Sequence, residues 1–393
     1  MTSEPEARFH SVDVSSITPG LLRATLRTSD GVLVEALHEP RAGRSEGDPG
    51  HRSTARPGGD GGADRAGGVA GADRAGGVSG GGNGGVGGGN GGVGRDGRAG
   101  GAEGDGGDPV RRPAAPESAT VIVVAHGFTG SVDRPAVRRA ARVLARSAAV
   151  VTFSFRGHGR SGGLSTVGDR EVLDLAAAVA WARSLGYRRV VTVGFSMGGS
   201  VALRHAALYG AAYAAPSGGA ARERAAAATD ADAREPLPEA GARRAGGERR
   251  WPYGDAPEPW LAADARECRT DAVAAVSAPA RWYYRGTAPM RRLHWVVTRP
   301  AGRLVGRYGL RTRIHPRDWN PVPLSPVAAV PLIAPTPLLI VHGDRDPYFP
   351  LDHPRMLAAA GPSELWLEPG MGHAENAAGD ALLGRLGDWL VRA

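Results

Sequence analysis

One cysteine, Cys268, stands in 393 residues, and lysine is absent: all 48 basic residues are arginine. A lone thiol excludes an internal disulfide framework and a multi-cysteine zinc site. The arginine monopoly, beside abundant Ala, Gly and Pro, has the look of GC-rich coding. A net charge of +8 is then weak support for nucleic acid as a partner, and none is expected. No stretch approaches the ~18 apolar residues of a membrane span. The first residues, MTSEPEARFHSVDVSS, have no apolar centre of the kind a secretory leader needs. The expectation is a soluble, cytoplasmic protein. Glycine, by contrast, is in excess: 60 residues are more than a compact fold of this length uses, which points to a folded body diluted by low-complexity sequence.

The dilution is localised. Residues 21–29 and 32–39 alternate apolar and polar around Asp30-Gly31, the dipeptide of a tight hairpin turn, and 1–40 reads as the hairpin of a larger body. Residues 41–117 are then mostly glycine with 10 arginines and 10 acids, and carry tandem GADRAGGV and GGNGGVG repeats. Such sequence buries too little apolar area to offset its ordering entropy, so a disordered insert is predicted. Order returns over 118–210. Strands are predicted at 120–127, 149–155 and 190–196, alternating with helices at 132–147, 169–185 and 197–209. Residues 211–268 lose periodicity again and read as a second insert. A body strand follows at 271–280 (segment 269–280), a lid at 281–335, and a final body segment at 336–393 with strands at 337–344 and 364–370 and a helix at 376–391. The two inserts span 77 and 58 residues, leaving 258, enough for one α/β domain with a parallel sheet.

In such sheets, sites form where loops leave the carboxyl ends of strands. Gly194-Phe195-Ser196-Met197-Gly198 fits Gly-x-Ser-x-Gly between a strand and a helix, with glycines where side chains would collide with the neighbouring elements. A serine hydroxyl needs a base to attack. His373 lies in a glycine-flanked loop after the last strand, and His158, His342 and His353 read as bystanders. Asp344 and Asp346 follow the preceding strand; Asp346, farther from the strand end, is favoured to orient the imidazole, and Asp344 to shape the turn. The oxyanion of an acyl-transfer site needs two backbone donors. The amides of Phe128, in AHGFTG, and of Met197 are the natural pair, with His126 bracing the loop. GHGRSG at 157–162 also matches a dinucleotide-binding glycine pattern, but no helix opens within it, which argues against a nicotinamide cofactor.

Together AHGFTG, FRGHGRSGG, GFSMGG, HGDRDPYFP and GMGH resemble the α/β-hydrolase superfamily, closest to the branch of monoacylglycerol lipases and serine aminopeptidases. The resemblance implies a mostly parallel sheet with helices on both faces and a small lid after the sixth predicted strand. It implies Ser196 as nucleophile, Asp346 and His373 as its partners, Phe128 and Met197 as oxyanion donors, and no cofactor or metal. One departure concerns RGHG: the family often has aspartate two residues before the arginine, and here Ser154 stands there. Expected substrates are small carboxylic esters or thioesters. An amide- or peptide-cleaving enzyme and a non-catalytic binding protein are the alternatives.

Residues 281–335 hold 10 arginines and one acid, Asp318, a net of +9 that accounts for the whole excess charge of the chain. Aromatic residues sit among them. Trp282, Tyr283, Arg291, Arg292 and Trp295 are the candidate substrate contacts, with a basic rim suited to anionic substrates or to peripheral contact with an anionic membrane.

Overall fold

In the computed structural model residues 11–18, 20–42, 119–210, 223, 266–320 and 322–393 are described. Among them nine strands make one sheet. They are β1 (Ser11–Thr18), β2 (Leu21–Arg27), β3 (Leu33–Glu39), β4 (Thr120–Ala125), β5 (Ala149–Phe153), β6 (Arg189–Phe195), β7 (Val273–Val276), β8 (Leu338–Gly343) and β9 (Glu364–Glu368). Their order is β1-β2-β3-β5-β4-β6-β7-β8-β9. Pairing is antiparallel from β1 through the β3–β5 contact and parallel from β5 to β9. The helices are α1 (Pro135–Leu144), α2 (Glu171–Ser184), α3 (Met197–Leu208), α4 (Ala288–Thr298), α5 (Pro300–Tyr308), α6 (Pro326–Ala329), α7 (Asp352–Ala360), α8 (Ala374–Ala377) and α9 (Asp380–Arg392). None of them is long and apolar enough to cross a membrane. The expected insert at 41–117 lies outside the described residues except for its first two positions, and so does most of that at 211–268.

Two-sided burial explains the apolar runs. Side chains alternate across a strand. On β4, Val121 and Val123 join the core shared with α2 and α3, whereas Ile122 and Val124 join the core shared with α1 and α9. A strand covered on both faces must be apolar at successive positions, as β4, β5 and β6 are. The chain runs from β4 outward to β5 and then crosses back over β4 to β6. That reversal opens a crevice at the carboxyl ends of β4 and β6, where ligand sites of doubly wound sheets form.

Several expectations need correction. β1 was not foreseen, because five of the eight residues of SVDVSSIT are polar and Val14 and Ile17 are exposed on this edge strand. The lid therefore follows the seventh strand of the sheet. β7 is four residues rather than ten, since Ser277 takes φ 52° and turns the chain out of the sheet. The closing helix is two helices, α8 and α9, separated at Ala378 and Gly379. The lid is also shorter than 281–335: Leu324, α6, Leu332 and Ile333 pack into the core under α3. Cys268, placed in the second insert, is fully buried in that same core, so the body resumes before residue 269.

Candidate active site

Ser196 sits at the junction of β6 and α3 with φ 51° and ψ −116°, a conformation costly for a residue with a Cβ. The turn is fixed by the Ser196 amide donating to Val276 O (2.8 Å) and by Ser196 O accepting from the amides of Gly199 (2.9 Å) and Ser200 (3.2 Å). A Cβ at Gly194 would overlap the Gly198 carbonyl, and one at Gly198 would overlap the carbonyls of Ala125 and His126 at the end of β4. Only glycine lets strand and helix approach this closely.

His373 lies in the loop after β9, its Nε2 2.8 Å from Ser196 Oγ and its Nδ1 2.7 Å from Asp346 Oδ2. The Asp346 carboxylate is buried and also accepts from the amides of Tyr348 (2.8 Å) and Phe349 (3.2 Å). Burial alone pushes its pKa up; the hydrogen bonds and charge of His373, with those two amides, outweigh burial and hold it below the usual carboxylate value. Asp344 does not reach the histidine. Its Oδ1 accepts from the Gly370 amide (2.6 Å), which ties the β8 turn to the histidine loop. Ser277 Oγ accepts from the Ala374 amide (3.0 Å) and pins the other side of that loop. Tyr348 and Phe349 flank the imidazole, with ring centroids 4.3 and 5.6 Å away.

The loop after β4 carries Phe128. His126 is fully buried beneath it, with Nδ1–H donating to Gly127 O (2.7 Å) and Nε2 accepting from the Phe155 amide (3.0 Å), an arrangement only the neutral ring allows. Burial, with the neighbouring His158, pushes its pKa down to about 3. Met197 is the first residue of α3, so its amide has no carbonyl one turn back to bond. Ser196, Met197 and Phe128 all line one cavity of about 160 Å³.

Two carboxylates that the sequence reading missed hold these loops. Glu375, two residues beyond His373 and buried, accepts the Gly127 amide (3.1 Å). Glu35 on β3 accepts from Ser154 Oγ (2.8 Å) and from the amide and Nε of Arg160 (3.1 and 2.8 Å). Glu35 thus brings a carboxylate to the place where Ser154 replaces the family's usual aspartate, reaching it from another strand. The only signal was a glutamate at a buried position between Val34 and Ala36, both fully buried and apolar.

Of the candidate substrate contacts, Trp282 and Tyr283 line the cavity, while Arg291, Arg292 and Trp295 do not. Helical spacing is the reason: Met290, Leu293, His294 and Val297 form the inner face of α4, and the other three fall on its outer face. Arg291 Nη1 donates instead to the carbonyls of Arg285 (3.3 Å) and Gly286 (3.1 Å). His342 and His353 bond backbone groups, Phe349 O (2.9 Å) and the Ala280 amide (2.9 Å). Among the described residues, no group of three or more His, Cys, Asp or Glu side chains is arranged to hold a metal ion.

A doubly wound sheet with a strained serine at one strand end, and a histidine and an aspartate brought to it from two others, defines the architecture of an α/β-type hydrolase. The sequence accordingly matches the alpha/beta hydrolase family over residues 122–383, and the chain belongs to that family. Among solved structures, it is similar to the Pyrococcus furiosus esterase Pf2001, at 16% identity, with 97% of each chain covered and a TM-score of 0.49. It is also similar to Est1E from Butyrivibrio proteoclasticus with ferulic acid bound: 16% identity, 72% of this chain and 93% of that one covered, TM-score 0.39. An alpha-beta serine hydrolase homologue from Coxiella burnetii is 18% identical, with 72% and 88% covered and a TM-score of 0.36. No curated protein matches the chain.

Proposed function

We propose that the protein is a serine esterase that cleaves small carboxylic esters or thioesters through an acyl-enzyme. The observation that carries this reading is the unbroken chain from Asp346 through His373 to Ser196 Oγ, at 2.7 and 2.8 Å, opening on an aromatic-lined cavity. His373 Nε2 takes the Ser196 proton as the oxygen attacks the substrate carbonyl. Asp346 holds the Nδ1–H tautomer and stabilises the imidazolium. The tetrahedral oxyanion accepts from the amides of Met197 and Phe128. As the carbonyl re-forms, the bond to the alkoxide or thiolate breaks and that group leaves with the proton from His373. Water, deprotonated by His373, then attacks the acyl-serine and releases the carboxylic acid.

Cavity charge favours esters over aminopeptidase substrates. Among its described lining residues the one carboxylate is Asp318, which is exposed, beside Arg281, Arg285, Arg303 and Arg317. A free α-ammonium group would be repelled there. The test is a panel of p-nitrophenyl esters of rising chain length beside aminoacyl anilides. Ester turnover that vanishes in Ser196→Ala is expected; anilide cleavage exceeding ester cleavage would make the protein an amidase instead.

A further inference from the structure

Helix α5 is built inside out. The side that packs inward is glycine: a Cβ on Gly302 would run into the Trp295 carbonyl and Val296, and one on Gly306 into the Ile314 side chain. The large apolar side chains face outward instead, with Leu304 58%, Val305 47% and Tyr308 75% exposed, and Trp295 on the outer face of α4 47% exposed. A helix on a protein surface ordinarily shows the reverse, with its apolar side chains turned to the core. Residues 302 and 306 lie nearly opposite 304 and 308 on the helical wheel, so the outward stripe is a consequence of the sequence and not of a local distortion.

The charges around this stripe are of one sign. Arg291, Arg292, Arg299, Arg307 and Arg311 are all exposed on α4, α5 and their ends. Within 281–317 there is no aspartate or glutamate, and among the described residues no arginine from Arg285 to Arg317 forms an ion pair with a carboxylate. Such a face repels a second copy of itself, which argues against a symmetric dimer built on it. Exposed Trp, Tyr, Leu and Val bordered by arginine suit a surface that is apolar a few ångströms down and negative on top.

We propose that the outer face of α4 and α5 docks on the surface of an anionic lipid bilayer, with Trp295, Leu304, Val305 and Tyr308 entering the headgroup boundary and Arg292, Arg299, Arg307 and Arg311 meeting lipid phosphates. The inner face of α4 lines the cavity that reaches Ser196. Docking therefore sets the roof of the cavity against the membrane. This reassigns Arg292 and Trp295 from substrate contact to membrane contact. It does not depend on the chemistry proposed for Ser196, because attachment is read without turnover.

The experiment is flotation of the full chain with vesicles of phosphatidylcholine alone or with about a third phosphatidylglycerol, at ~0.05 and ~0.5 M salt. Partition into the anionic vesicles at low salt is expected, reduced at high salt, with little into the neutral ones. Arg292→Gln with Arg307→Gln should weaken partition by about 25-fold, roughly fivefold per arginine removed from a charged surface. Leu304→Ser with Tyr308→Ser should weaken it at least ~10-fold, as apolar burial is lost. All four positions are exposed, so both variants should keep the wild-type melting temperature and the wild-type rate on a water-soluble ester. No partition at either salt, equal partition into neutral vesicles, or variants that float like the wild type would each overturn the proposal. Absence of partition together with concentration-dependent self-association or binding to an acidic protein would give this face a protein partner instead.

Discussion

Arg156 is only 3% exposed at its side chain and is held by Asp30 (2.7 Å) and Asp174 (2.7 Å), whereas Arg307 in the lid is exposed and lies over the neighbouring Tyr308 ring. The same contrast recurs. In the body Arg160 meets Glu35, Arg139 meets Asp380, Arg183 meets Asp271, and Arg204 is buried against Asp169 and the Gly168 carbonyl. In the lid, the arginines from Arg285 to Arg317 form no ion pair with a carboxylate among the described residues, and Arg291 and Arg303 donate to backbone carbonyls instead. One residue type thus serves two purposes, set by its neighbours. A guanidinium inside the body is affordable only because several acceptors replace its hydration, and in doing so it fixes loops that carry the site. A guanidinium on the lid keeps its hydration and its field, and so is available to a partner.

That difference predicts where substitutions hurt. The largest effects belong to the body's strand ends: Ser196→Ala or His373→Ala should each lower kcat by ~10⁶ with the fold intact. Asp346→Asn should cost ~10⁴ in kcat, since the wrong imidazole tautomer is then favoured. Asp344→Asn should cost far less, because Asp344 reaches only the Gly370 amide. The opposite ranking, measured on one p-nitrophenyl ester, would move the acid to Asp344.

Next comes the buried ion pair. Arg156→Met leaves Asp174 uncompensated and should lower stability by ~3–5 kcal/mol in denaturant melts. Arg307→Gln should stay within ~0.5 kcal/mol. Equal losses would erase the distinction between the two regions. Glu375→Ala frees the Gly127 amide and loosens the loop that holds Phe128, and should lower kcat by ~10² with KM little changed. Glu375→Gln keeps an acceptor in place and should recover most of that rate, whereas a purely steric role would leave both variants alike.

A smaller, graded effect concerns acid. Burial holds His126 and His205 down to about 3 and His353 down to about 4, against ~6.5 for an exposed histidine. Each is neutral when folded and binds a proton when unfolded. Folding stability from these groups is therefore complete above ~6.5 and lost progressively as pH falls toward their folded values. Asp346, with its pKa lowered, adds to the loss only below the ordinary carboxylate range. Asp174, which burial raises to about 6, works in the opposite sense over this range, but the three histidines outweigh it. Melting temperature should therefore decline from pH 7 to 4.5; a level or rising curve would contradict the assignment of these histidines as neutral when folded.

How much of this was readable in the sequence follows from how local each cause is. The elbow was legible because the collisions that require Gly194 and Gly198 arise within one strand–turn–helix unit. The buried strands were legible because two-sided burial leaves a continuous apolar run, as in TVIVVA. Glu35 and Glu375 were not, since what they bond lies 119 and 248 residues away. The outer positions of Arg291, Arg292 and Trp295 escaped because no helix boundary was assigned within the lid, and without a phase the inner and outer faces of α4 cannot be told apart. α5 escaped for a different reason: its glycines face in and its apolar residues face out, so its amphipathic pattern points the wrong way.

The central claim is that Ser196 is a nucleophile activated by His373, and covalent trapping tests it most directly. The full chain is treated with a fluorophosphonate and its peptides are examined by mass spectrometry. The account predicts one phosphonate per chain, on Ser196, with labelling abolished in Ser196→Ala and strongly slowed in His373→Ala. An unlabelled wild type, or a label carried equally by Ser196→Ala, would contradict it.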